Sequence, residues 1–173
     1  EGFGHLAIED EARLSDYRIR AHFLTRLFAL AEFRDIRKDP SMKGLVRFHT
    51  DNKLLLMAYN QKGLRDLGRI VANHEKEPVD KVYDDYANEL FKALAKPPRF
   101  TSNINVLMHA LGYFSKGLAS SEKKYFLEML EKYRASRVPF SVSSSQLPIG
   151  VSGNRETAVA KFVALEEGGV VVD

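Results

Sequence analysis

Two short polar series hold the residue types that could do chemistry in this chain. In Phe48-His49-Thr50-Asp51-Asn52-Lys53, His49 and Lys53 lie four residues apart. A helix makes such residues neighbours, and Leu56 and Asn60 continue the stripe. A cation beside an imidazole lowers its proton affinity, which suits a base or a neutral hydrogen-bond donor to an anion. In the second series, Asn105, His109 and Tyr113 fall at i, i+4 and i+8 and share one side of an otherwise apolar helix. A buried polar group without a partner costs on the order of 1–3 kcal/mol, so these three need partners, from other side chains or from a ligand. Gly112 costs about 1 kcal/mol in a helix interior and signals close approach of another backbone or of a ligand. If the two helices face each other, His49, Lys53, Asn105 and His109 line a single pocket. The structural alternatives are a polar stripe on a buried helix for the first series and an internal polar network for the second.

Other chemistries are bounded by what the sequence lacks. It has no cysteine, which excludes disulfides, thiolate nucleophiles, thiolate zinc sites and an iron–sulfur cluster held by this chain's own thiolates. The five histidines are too scattered to argue metal coordination from spacing, and His74-Glu75 has no second ligand at helical spacing. No Gly-rich phosphate loop, paired-histidine zinc motif or nucleophile elbow occurs. No metal site and no cofactor in this chain are therefore expected. The net charge of +3 permits contact with nucleic acid without demanding it. Basic residues gather at Arg34, Arg37, Lys38, Lys43 and Arg47, then at Lys62, Arg65 and Arg69, and a solvated face is their default reading. The longest apolar run, Leu54 to Tyr59, is too short to cross a bilayer, and no secretory leader opens the chain, so a cytoplasmic, non-membrane protein is expected. Because Glu1 rather than Met stands first, residues upstream are expected to have been cut away, processed or left out of this sequence.

The elements that must position these residues read as helices throughout. Ile19, Phe23, Leu27, Leu30 and Phe33 mark one apolar face from Asp16 onward, ended by Asp39-Pro40. That pair predicts the next start, with Asp39 as N-cap and Pro40 at the first helical position of a helix near 40–58. Its end, Leu54-Leu55-Leu56-Met57, is apolar all round and belongs in the core. Asn60 predicts a cap for a third helix to about Asn73, and Pro78 starts a fourth with Val82, Tyr83, Tyr86 and Leu90 inward, stopped by Pro97-Pro98. Thr101 or Ser102 caps a fifth, containing Ile104, Leu107, Met108, Leu111 and Leu118. Ser120 or Ser121 opens a sixth, with Phe126, Met129, Leu130 and Tyr133 inward and Val138-Pro139 at its end. Asn154 caps a short last helix over 156–165. The expected fold is all-α, a single-domain bundle of about six to seven helices. Residues 1–17 form an irregular lead-in, 18–139 the helical domain, and 140–173 a Ser- and Gly-rich segment.

Several of these segments together resemble the YbgA-type domain, a helical domain of unknown function. The resemblance is carried by Glu9-Asp10-Glu11-Ala12-Arg13-Leu14, Phe28-Ala29, Phe48-His49-Thr50, Lys53-Leu54-Leu55-Leu56-Met57-Ala58 and Leu67-Gly68-Arg69. It continues through Asn105-Val106-Leu107-Met108-His109, Gly112-Tyr113-Phe114 and Tyr133-Arg134 before Val138-Pro139, and covers about residues 9–139. Beyond Pro139 the chain lacks the apolar helical stretch and aromatic–proline ending that the resemblance implies. Members of the family occur alone or fused behind a domain similar to thiouracil desulfurases, which hold an iron–sulfur cluster on cysteines. The resemblance thus implies an accessory role beside such a fused or associated domain, presenting a thiolated nucleobase or RNA to it.

Three functional readings follow. The first is a binding or accessory domain in which Lys53 meets an anionic group and Asn105 reads a base edge, with His49, Asn60, His109 and Tyr113 completing the site. The second is a small-molecule enzyme using His49 or His109 as general base in a pocket closed by Tyr113. The third is a structural or oligomerising helical module. Nothing in the sequence sets an oligomeric state.

Overall fold

A computed structural model describes residues 6–114 and 118–138. Within them the chain is all-α, with a 3-10 turn at Ala12–Ser15 and seven helices. These are α1 (Tyr17–Ile36), α2 (Met42–Asp51), α3 (Lys53–Tyr59), α4 (Gln61–Ala72), α5 (Val79–Ala93), α6 (Phe100–Phe114) and α7 (Ser120–Arg134).

Local chemistry explains most boundaries. The Asp16 carboxylate accepts from the Arg18 and Ile19 N–H groups and starts α1. Asn60 accepts from the Gly63 N–H at 2.9 Å and starts α4, as its position predicts. Ser41, not Asp39, caps α2, accepting from the Gly44 N–H at 3.1 Å. The reason is tertiary. The Tyr83 hydroxyl donates to the Ser41 carbonyl and accepts from its N–H, which holds Ser41 extended just before the helix.

The helix expected over 40–58 is broken at Asn52. The Asn52 amide donates to the Phe48 carbonyl at 3.0 Å and shares it with the Asn52 backbone N–H, so the side chain competes with the helix ladder. At α6 the helix begins at Phe100, so Thr101 and Ser102 lie in its first turn rather than capping it. Leu118 falls outside that helix, which stops at Phe114. α7 opens at Ser120 behind Ala119, whose N–H donates to the Glu122 carboxylate at 2.7 Å. It ends at Arg134, short of Val138-Pro139. Left-handed Ser136 lets the Arg137 N–H reach the Lys132 carbonyl in a Schellman closure. The helix expected over 156–165 lies outside the described residues.

The core centres on α3, whose Leu54, Leu55, Leu56, Met57 and Ala58 are all buried. α4 and α6 pack against it. α4 and α5 pack tightly at Gly63, where a methyl group would lie 2.9 Å from the Ala93 Cβ. An aromatic cluster ties α1, α2 and α5 together. Phe33 stacks on Tyr83 and Tyr86 and meets Phe48 edge-on, with centroids 5.5–5.9 Å apart.

Candidate functional site

α2 carries His49 to the junction with α4 and α5. Its Nδ1 lies 3.1 Å from the Tyr86 hydroxyl, and the two rings meet edge-on. On the other side of the ring, Nε2 lies beside Gly68, where an added methyl group would sit at ordinary contact distance, 3.6 Å. Burial pushes the His49 pKa down to about 4, and the Lys53 ammonium on the next turn adds a smaller push the same way. His49 is therefore neutral at pH 7. Tyr86 is fully buried, and burial together with the Glu32 charge raises its pKa, so the phenol also stays neutral. With Nδ1 committed to Tyr86, Nε2 is the ring atom left to meet a ligand, as donor or acceptor according to the tautomer.

Lys53 is exposed at the start of α3, and no ion pair involves it among the described residues. Four of the eight clustered basic residues are paired, Arg37 with Asp84, Lys38 with Asp35, Arg47 with Asp51 and Arg69 with Asp66. Arg65, one turn before Arg69 on α4, is exposed and, like Lys53, without an ion pair among the described residues. Asn60 is half-buried, with its carbonyl oxygen committed to the α4 cap.

The second series sits on α6, which packs on α3 and α7. His109 is exposed, while Asn105 and Tyr113 are half-buried. The structure thus sets His49 against Tyr86 and Gly68 on α5 and α4, with the Lys53 charge acting on it, and leaves His109 facing solvent. The Asn105 Nδ2 is buried and finds no hydrogen-bond partner among the described residues, nor do the Oδ1 atoms of Asn103 and Asn52. Gly112 does not mark a close approach. Among the described residues a Cβ there would meet nothing within 4 Å, and Gly112 is exposed.

Sequence reasoning placed Tyr86 in the core and missed its role as the partner of His49. The signal was available, since a buried tyrosine needs an acceptor or donor for its hydroxyl. A second pair of the same kind also went unread. His22 Nδ1 lies 3.2 Å from the Tyr59 hydroxyl with the rings stacked, and burial, then Arg26, lowers the His22 pKa. A groove of about 550 Å³ between α1 and α5 was missed as well. Among the described residues no three His, Cys, Asp or Glu side chains gather to hold a metal ion, and no helix is long and apolar enough to cross a membrane.

Fold and site together define a cysteine-free all-α domain with two partly buried His–Tyr pairs and without a recognisable catalytic constellation among the described residues. The family model described as a protein of unknown function (DUF1722) matches residues 53–157, and the chain belongs to this family. It is 31% identical over 118 residues to the uncharacterized protein YbgA of Escherichia coli (strain K12), covering 67% of this chain and 70% of that protein. No solved structure matches the chain. The family match begins at the first residue of α3 and runs past Pro139, so the likeness extends further along the chain than the motifs ending at Val138-Pro139 suggested. Lys53, Asn60, Asn105, His109 and Tyr113 fall inside the matched stretch, and His49 lies just before it.

Proposed function

We propose that this is a non-catalytic accessory domain that binds a nucleobase-bearing anion, an RNA strand above all, and presents it to a sulfur-handling partner domain. The carrying observation is the neutral His49. Tyr86 holds its Nδ1, and its Nε2 lies beside the side-chain-free Gly68, with Lys53 a turn away and Arg65 on the neighbouring helix. A neutral imidazole can hydrogen-bond a base edge while the cations meet phosphates, the usual division between contacts that specify and contacts that position. An enzyme reading has less support, because a general base works best with a pKa near the operating pH and His49 sits well below it. The sulfur-handling partner rests on the family resemblance alone.

Fluorescence anisotropy of the domain against bulk tRNA at low and moderate salt tests the reading. Saturable binding is expected to weaken steeply with salt and to fall in Lys53→Ala and His49→Gln variants whose helical circular dichroism is intact. A folded protein that shows no saturable binding at low salt sinks the RNA reading.

A further inference from the structure

The groove between α1 and α5 is built from one stripe of each helix. Leu30, Phe33, Arg34 and Arg37 recur at i, i+3, i+4 and i+7, and Asp84, Ala87, Asn88 and Phe91 repeat that spacing. The stacked rings of Phe33, Tyr83 and Tyr86 hold the two helices together and make one wall rigid. Leu30, Phe33 and Ala87 are buried at the groove's base, with Phe91 half-buried beside them. The small Ala87 side chain leaves room where a larger residue would fill the slot. At the rim, Arg37 pairs with Asp84 across the groove. Arg34 makes no ion pair among the described residues, and its neighbour Asp35 is taken by Lys38 at 2.7 Å. Among the described residues the rim therefore holds two guanidinium groups against one carboxylate. The volume of about 550 Å³ lies within the range of small-molecule sites, roughly 300–1,000 Å³.

We propose that this groove binds a small organic anion with a flat apolar ring, the ring lying against Phe33 and Phe91 and the carboxylate or phosphate meeting Arg34. A guanidinium presents paired donors that match such an anion, and Asn88 adds one amide donor and one acceptor for a ring heteroatom. Asp84 acts as an internal competitor, occupying Arg37 until a ligand draws it away. The site is separate from the His49 face and does not depend on RNA binding there.

Indole-3-acetate and its neutral counterpart indole-3-acetamide, titrated into the full chain by NMR and calorimetry, test this. The acetate is expected to shift the resonances of Leu30, Ala87, Asn88 and Phe91 and to bind roughly tenfold tighter than the amide. Arg34→Met keeps the apolar stem of an exposed side chain and should erase that preference. Asp84→Asn frees Arg37 and should tighten the acetate several-fold, and Asn88→Trp should block both probes. Lys124→Met, which removes an exposed charge on α7, should change neither affinity. The proposal is overturned if acetate and amide bind alike, if neither shifts the groove resonances at millimolar concentration, or if Lys124→Met weakens acetate as much as Arg34→Met does.

Discussion

The two polar stripes look equivalent as sequence and differ completely as structure. Each places a histidine on a helix with polar residues at four-residue spacing. On α2 the half-buried ring packs against Tyr86, loses much of its affinity for a proton and turns its other nitrogen toward Gly68. On α6 the corresponding ring, His109, faces solvent. Helical spacing establishes that side chains share a face, while the neighbouring helices decide whether that face is core or surface.

The contrast can be broken or sharpened by a graded set of variants. Tyr86→Ala should have the largest effect, costing about 3–5 kcal/mol in urea denaturation, because it removes a fully buried ring from the Phe33–Phe48 cluster and strips His49 of its partner. A loss below about 1 kcal/mol would mean that the α2–α5 junction is not the organising centre described above.

Acid sensitivity comes next. A folded-state His49 pKa near 4, against an ordinary value of 6.5, means that the unfolded chain takes up the proton first as pH falls. The stability this contributes is complete above about pH 6.5 and is lost progressively toward pH 4, on the order of 2 kcal/mol after allowance for solvent screening of a half-buried ring. His22, also shifted downward, acts in the same direction. Urea denaturation of the parent and of His49→Gln from pH 7 to pH 4 should show a shallower pH slope in the variant. Parallel slopes would place the neutral imidazole elsewhere.

Two glycine substitutions separate inside from outside at smaller scale. At Gly63 a methyl would collide with Ala93, so Gly63→Ala should destabilise by about 1–3 kcal/mol despite its better helix propensity. At the exposed Gly112 a methyl would meet no described residue within 4 Å, so Gly112→Ala should stabilise by about 0.5–1 kcal/mol. Thermal melts of the two variants should therefore move in opposite directions. The smallest effect belongs to His109→Ala, expected within about 0.5 kcal/mol of the parent by the same urea measurement. A larger loss there would show that His109 has a partner and would restore the symmetry between the stripes.

Much of the fold was legible because helices announce themselves through short-range chemistry. The first helix starts beside Asp16 as its periodicity predicts, Asn60 caps where its side chain predicts, the Leu54–Ala58 run lies in the core, and Phe126, Met129, Leu130 and Tyr133 turn inward as their spacing requires. The errors have non-local causes. Ser41 displaces Asp39 as a cap because Tyr83, forty-two residues away, grips its backbone. The break at Asn52 arises from a side-chain bond that competes with the helix ladder, which composition and periodicity do not reveal. Of the site, His49 and Lys53 were legible as neighbours on one stripe. Their surroundings, Tyr86 and Gly68, come from helices far along the chain.

By itself the sequence determined an all-α chain without cysteine chemistry, the positions of most of its helices, and which polar residues share a helical face. These follow from capping, proline sterics and the 3.6-residue period, all of which act within a turn or two. Only the tertiary structure decided that His49 is neutral, that His109 is exposed, that Gly63 is a contact and Gly112 an exposed position, and that two arginines frame a groove between α1 and α5. Those properties depend on burial and on the field of neighbouring groups, and both are set by which helices pack together.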